Sequence, residues 1–129
     1  NGCAGADANG TFRLESFAGC GFEIVDSTGA GDVFHGGFLY AWLHRYGRAP
    51  YHYTIKDCAR FASAVSYINC MSLGGRTGIP DLAMVDTFLQ KKTVDFNLLA
   101  ERREFYKNAM FRQGAPAGPR TPDQASKTL

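Results

Sequence analysis

The sequence predicts an α/β fold in which short strands precede several helices. Residues 11–17 alternate apolar and polar side chains, which is typical of a half-buried strand. A glycine-dense segment at 26–32 then leads into a long stretch with helical apolar spacing. Further helical patterns follow before a final segment rich in turn-forming residues.

Composition narrows the class of protein. The 129 residues correspond to one domain, and 45% of them are apolar, which suffices for one core. A net charge of +2 is too small to indicate a nucleic-acid or membrane partner. No apolar run approaches the roughly 18 residues of a membrane span. Four widely spaced cysteines, with no signal peptide, predict reduced thiols in the cytoplasm. Because no Met begins the chain, we expect it to be cut from something longer.

Two strands are predicted near the N-terminus. Ala8-Asn9-Gly10 should form a turn that leads into a strand at 11–17. After Gly19-Cys20-Gly21, the apolar run from Phe22 to Val25 should form the second strand.

The first predicted helix runs from Val33 to Tyr46 and ends at Gly47. The residues of its apolar stripe are Phe34, Phe38, Ala41 and Trp42.

The second helix should run from about Thr54 to Ser72. Thr54 is a suitable N-cap, with Asp57 three residues later. The inner face of this helix should consist of Phe61, Ala62, Val65, Ile68 and Met71.

Two shorter predictions complete the chain. A turn at 74–80 leads into a third helix at roughly 81–92, with Asp81 as its cap. A fourth helix is expected near 96–111, and residues 113–129 should form a disordered tail.

The candidate ligand-binding and catalytic residues lie in the segment Asp26-Ser27-Thr28-Gly29-Ala30-Gly31-Asp32. Gly29 and Gly31 allow a sharp turn and a close approach of backbone N–H groups to a ligand. At a helix N-terminus, such N–H groups favour a bound anion such as phosphate. Asp32 would repel a resting phosphate, so it either acts as a general base on an attacking hydroxyl or caps the helix.

Two common glycine motifs are excluded. A P-loop requires a Gly-Lys pair, which this chain lacks. A dinucleotide fingerprint starting at Gly29 would require glycine at position 34, which is Phe34.

The run D-S-T-G-A-G-D-V-F-H-G-G-F at 26–38 resembles the C-terminal signature of ribokinase/PfkB-type carbohydrate kinases, D-[ST]-T-G-A-G-D-x-F-x-G-[AG]-F. The resemblance extends over roughly residues 1–92. It implies a Rossmann-like, ribokinase-type α/β fold of which this chain holds only the C-terminal part. Residues 1–112 would be the nucleotide- and phosphate-binding part, without the half that forms the sugar pocket.

The resemblance also implies roles for individual residues. Asp32 looks like the catalytic base, and the family's anion hole corresponds to the backbone N–H groups of Gly29, Ala30, Gly31 and Asp32. The positions that correspond to nucleotide-binding ones are Gly2, Ala62, Val65 and Gly74.

A monovalent-cation site is a further implication of the resemblance. Asp26 matches an acid that helps to hold a cation such as K+, although an ordinary turn acid remains the alternative. Family members often carry serine where this chain has Gly78, which departs from the pattern.

The resemblance implies transfer of the γ-phosphoryl group of ATP to a hydroxyl of a sugar or nucleoside, with Mg2+ as the metal ion. It also implies a cytoplasmic full-length protein, for which a homodimer is one expected state. The rival hypothesis is a non-catalytic nucleotide-binding, anion-binding or structural fragment that is inactive alone. Arg76 could reach a nucleotide phosphate or remain solvated, and His35 is interpreted as structural.

Overall fold

The N-terminal segment forms an antiparallel hairpin. In this computed structural model, which describes residues 2–114, β1 (Cys3–Asp7) pairs with β2 (Gly10–Leu14). The predicted turn is confirmed. The strand predicted at 11–17 is confirmed at 11–14, and residues 15–17 lie outside it. β1 was not predicted because Cys-Ala-Gly-Ala-Asp has no β-branched or aromatic residue. Its pairing with β2 makes it a strand.

The prediction of a strand at Phe22–Val25 is wrong. This stretch forms no strand, and a short 3₁₀ helix at Phe17–Cys20 precedes it. The N–H groups of Val25 and Asp26 both donate to the carbonyl of Cys70, at 2.8 and 3.1 Å. Cys70 ends a helix, where carbonyls lack intrahelical partners. The N–H groups of Val25 and Asp26 therefore bond to the C-terminal end of a helix rather than to a neighbouring strand.

Four helices follow, near the predicted positions. Their bounds are Ala30–His44 for α1, Ile55–Asn69 for α2, Leu82–Lys91 for α3 and Phe96–Gly114 for α4. The predicted cap Asp81 accepts a bond from the N–H of Met84 at 2.8 Å. α4 continues through Gly114, past the predicted boundary at residue 112, and the rest of the predicted tail lies outside the described residues.

The core is built around α2. Every residue of its predicted inner face is buried, and α3 and α4 contribute Met84, Val85, Phe88 and Leu99. α1 packs on α2 through Val33, Gly37 and Ala41. A Cβ at Gly37 would lie 3.2 Å from the Cα of Ala62, so this glycine allows the two helices to approach closely.

The predicted aromatic stripe of α1 lies beside this contact. Its rings stack on one another, with centroids 6.5 Å apart for Phe34 and Phe38 and 6.3 Å apart for Phe38 and Trp42. The stripe is half-buried at the two phenylalanines and exposed at Trp42. Among residues 2–114, none of the helices has the length and apolar character needed to cross a bilayer.

Candidate functional site: a glycine turn between two cavities

The glycine turn begins α1. Gly29 is the N-cap, with φ 72° and ψ 5°, a left-handed conformation that glycine adopts without the usual steric penalty. No side chain caps this helix. The prediction that this segment forms a helix N-terminus is confirmed. The N–H of Ala30 donates to the carbonyl of Ser27 at 3.1 Å, whereas those of Gly31 and Asp32 belong to the unpaired first turn. These N–H groups and the helix dipole can bind an anion.

Asp32 occupies the first turn of α1 and is exposed. The alternative that it caps the helix is excluded, because Gly29 holds the cap position and no side chain bonds to the helix start. Within residues 2–114, its carboxylate has no hydrogen-bond or ion-pair partner. It is therefore free to accept a proton from a ligand hydroxyl.

Asp32 and Gly29 line a first cavity of about 640 Å³ between α1, α2 and the start of α3. Its walls are mainly apolar, and among the described residues Arg76 is the one basic side chain that lines it. The other lining residues are Thr28, Val33, Gly36, Gly37, Tyr40, Phe61, Val65, Gly75, Ile79, Pro80, Leu82 and Val85.

A second cavity, of about 490 Å³, borders the same glycine turn and is lined by Ser27 and Ala30. Gly2 also borders it, and a Cβ there would lie 1.9 Å from the carbonyl oxygen of Leu14. Residue 2 can therefore lie this close to the backbone of Leu14 only if it is glycine. The lining residues that α2 contributes and that carry hydroxyl groups are Ser63, Ser66 and Tyr67.

The structure separates the predicted nucleotide-binding residues. Gly2 lines the second cavity and Val65 the first, whereas Ala62 is fully buried under Gly37 and lines neither. Gly74 lies in the loop after α2, with φ 94°.

Sequence reasoning missed Ser63 and Ser66, which point toward the second cavity. Ser66 also donates from its Oγ to the carbonyl of Ala30 at 2.8 Å and so fixes the glycine turn to α2. Their spacing of three residues places both hydroxyls on one helical face, which was the available signal.

Asp26 joins the glycine turn to the loop after α2. One carboxylate oxygen accepts from the N–H of Thr28 at 2.8 Å, and the other accepts from the N–H of Gly74 at 2.9 Å. Hydrogen bonds from Thr28, and then from Gly74, lower the pKa of Asp26 because they stabilise its charged form.

The monovalent-cation site at Asp26 stays a prediction. Both oxygens of Asp26 already accept backbone N–H groups. Gly78 has no side-chain oxygen, and a Cβ there would lie 2.6 Å from the Oγ of Ser72. In the described part of the chain, no three His, Cys, Asp or Glu side chains are grouped to hold a metal ion.

Comparison with known proteins identifies a family for this chain. A sequence model of the pfkB family of carbohydrate kinases matches residues 1–82. The chain belongs to this family, which implies a ribokinase-type α/β fold.

Three relatives illustrate the similarity. An "uncharacterized sugar kinase" of Dictyostelium discoideum is 35% identical over 68 residues, which are 53% of this chain and 18% of the relative. A nucleoside kinase of Methanothermobacter thermautotrophicus is 42% identical over 59 residues, or 46% and 17% of the two chains. A ribokinase of Lactococcus lactis is 32% identical over 76 residues, or 59% and 22%. The chain thus spans about a fifth of the length of the curated relatives it matches.

Proposed function

We propose that this chain is the C-terminal, phosphate-binding part of an ATP-dependent kinase that phosphorylates a hydroxyl of a sugar or nucleoside. The observation that carries the proposal is the position of the glycine turn between two cavities. Asp32 lines the first cavity and is absent from the second. Backbone N–H groups that border both cavities, together with a base in one of them, suit the transfer of a phosphoryl group from one ligand to another.

The second cavity would hold the nucleotide, and the first the acceptor. As the acceptor oxygen bonds to the γ-phosphorus, the bond from that phosphorus to the leaving oxygen of ADP breaks. Asp32 takes the proton from the acceptor hydroxyl, which makes the oxygen a better nucleophile. The N–H groups of Gly31 and Asp32 hold the transferred phosphoryl oxygens.

Positive charge near the transferred group would come from two sources. Arg76 borders the first cavity beside Gly29 and Asp32, where a guanidinium can pair with phosphate oxygens. Mg2+, which binds largely through the phosphates of the nucleotide, would neutralise further charge. Asp26 is assigned to hold the turn, because each of its two oxygens accepts a hydrogen bond from a backbone N–H group.

The alternative is a fragment that binds a nucleotide or another anion without catalysis. Two observations favour it for the chain by itself. The chain spans about a fifth of its relatives, and apolar side chains on α1 are exposed, with Leu39 60% and Leu43 57% accessible. We therefore expect the 129-residue chain to bind ATP and to turn over sugars at a background rate.

Paired cavity-filling variants test the assignment of the two cavities. Ser63→Leu places an apolar side chain in the second cavity and should weaken ATP binding to the chain at least tenfold. Gly36→Leu is the matched control, because a Cβ at Gly36 has open space around it and borders only the first cavity. It should leave ATP affinity within twofold of the wild type.

Calorimetric titration of ATP into each variant is the measurement. Loss of ATP binding in Gly36→Leu with retention in Ser63→Leu would reverse the assignment. In the complete kinase that contains this segment, ATP-dependent phosphorylation should be detected across a panel of sugars and nucleosides. If none is phosphorylated, the alternative of a non-catalytic fragment is correct.

A further inference from the structure

The loop that follows α2 lies directly against the glycine turn. A Cβ at Gly29 would lie 3.0 Å from the carbonyl oxygen of Gly75 and 3.1 Å from its Cα. A Cβ at Gly75 would in turn lie 3.5 Å from the carbonyl oxygen of Thr28. Backbone therefore packs on backbone, and a displacement of the loop would displace Gly29 or leave a gap beside it.

Asn69, the last residue of α2, holds this loop at two points. Its Nδ2 donates to the carbonyl of Gly75 at 3.2 Å, and its Oδ1 accepts from the N–H of Gly78 at 3.2 Å. The side chain is fully buried, so neither partner could exchange Asn69 for water without local opening. Both ends of one amide thus fix the loop that contacts Gly29.

The same loop is tied from other directions. Asp26 accepts from the N–H of Gly74 at 2.9 Å on the side of the turn. Arg103 of α4 donates to the Oγ of Ser72 at 2.7 Å and to the carbonyl of Met71 at 2.8 Å. Among these ties, Asn69 alone bonds to Gly75, the residue in contact with Gly29.

We infer that Asn69 is a positioning residue for the anion-binding turn. It lines neither cavity. It holds Gly75 against Gly29 and so sets the direction of the N–H groups at the start of α1. This inference rests on the proposed function, since it assigns Asn69 a part in phosphate binding. Removing the amide should lower the affinity for polyphosphate while leaving Asp32 and both cavities in place.

The test compares three variants of the 129-residue chain. Asn69→Ala removes both hydrogen bonds. Asn69→Asp keeps the shape and the acceptor for Gly78 but, when ionised, cannot donate to Gly75. Ile68→Val is the matched control, because Ile68 is equally buried in the same turn of α2 and has no polar contact.

Two measurements are made on each protein: calorimetric titration with tripolyphosphate, and the amide NMR resonances of residues 29–31 without ligand. Asn69→Ala should bind tripolyphosphate at least tenfold more weakly and shift the amide signals of the turn. Asn69→Asp should show a smaller change in the same direction. Ile68→Val should bind within twofold of the wild type with unchanged turn resonances, even if it melts at a lower temperature.

The possible outcomes separate the two claims. Wild-type affinity in both Asn69 variants, or equal losses in Asn69→Ala and Ile68→Val, would overturn the positioning role and leave the proposed function standing. If the wild-type chain binds neither tripolyphosphate nor ATP, the proposed function fails, and the positioning role fails with it. Should Asn69→Ala not fold, weaker tripolyphosphate binding with shifted turn resonances in Asn69→Asp supports the positioning role, and wild-type affinity in Asn69→Asp overturns it.

Discussion

The starts of α1 and α2 differ in how their first N–H groups are used. α2 begins with a complete capping box, in which the Oγ1 of Thr54 accepts from the N–H of Asp57 at 3.2 Å and the Asp57 carboxylate accepts from the N–H of Thr54 at 2.9 Å. α1 begins with Gly29 and no capping side chain. α1 forgoes the side-chain hydrogen bond of such a cap, which costs only roughly a few tenths of a kcal/mol where glycine holds the cap position. The helix that leaves its donors unpaired is the one whose N-terminus borders both cavities.

The two starts also differ in what holds them in place. The capping box is local, since its partners are three residues apart. The start of α1 is held by distant groups, including the Oγ of Ser66 and the backbone of Gly75. A helix start that binds a ligand can therefore be ordered by tertiary contacts that leave its N–H groups available.

The largest effect is expected from Asp32→Asn in the complete kinase that we propose contains this segment. The variant keeps the shape of the side chain but removes its basicity, so kcat should fall by about 10²–10⁴-fold. ATP affinity should hold or improve, because a negative charge beside the triphosphate is lost. Asp57→Asn is the matched control, as another acid in a first helical turn, and should leave kcat unchanged. Steady-state kinetics measure kcat of each variant, and titration with ATP measures its nucleotide affinity. A change in kcat of less than threefold for Asp32→Asn would show that Asp32 is not the base.

Gly29→Ala should disturb the start of α1 in two ways, by straining the backbone of residue 29 and by crowding the loop at Gly75. Left-handed backbone costs a residue with a Cβ about 1–2 kcal/mol, and the new Cβ would also press on the Gly75 carbonyl oxygen at 3.0 Å. We expect a loss of unfolding free energy of that size or greater in urea denaturation, with weaker tripolyphosphate binding. Gly21→Ala is the control, because Gly21 has φ 84° and open space around its Cβ position. It should lose stability and retain affinity; equal affinity losses in both variants would rule out a local role for Gly29.

Thr54→Ala should act on stability alone. Loss of the cap of α2 should lower the unfolding free energy by about 1 kcal/mol, measured by urea denaturation. Tripolyphosphate affinity should stay within twofold of the wild type, since this cap lies at the start of a different helix. A parallel loss of affinity would show that the two helix starts are coupled, contrary to the comparison made above.

The smallest effect concerns the acid response of Asp26. Its folded-state pKa lies below the ordinary value of 3.8, so its stabilising contribution is present above that value and is lost as pH falls through the lower one. Asp26→Asn should remove this part of the pH dependence, which a series of urea midpoints below about pH 5 would reveal. Identical pH profiles for the wild type and the variant would show that Asp26 does not hold the turn through its charge.

Several elements could be predicted because their determinants are local. Thr54 with Asp57, and Asp81 with its following turn, specify helix starts within four residues of sequence. The glycine turn and its helix could likewise be placed from the order of glycines before an apolar-periodic stretch. β1 could not be predicted, because its backbone hydrogen bonds depend on its partner strand β2. The segment at 22–25 could not be predicted either, because its last residue bonds to the C-terminal end of α2.

The sequence by itself determined the family, the starts of α2 and α3, and the segment that contains Asp32, since each depends on neighbouring residues or on a contiguous motif. The tertiary structure decided which side of α2 faces each cavity, with Ser63 toward the second and Ala62 beneath α1. It also decided that Asn69 reaches Gly75 and Gly78, a contact across a loop whose path no local pattern specifies. Helical periodicity predicts that a face is buried, but the partner of that face depends on how the helices pack.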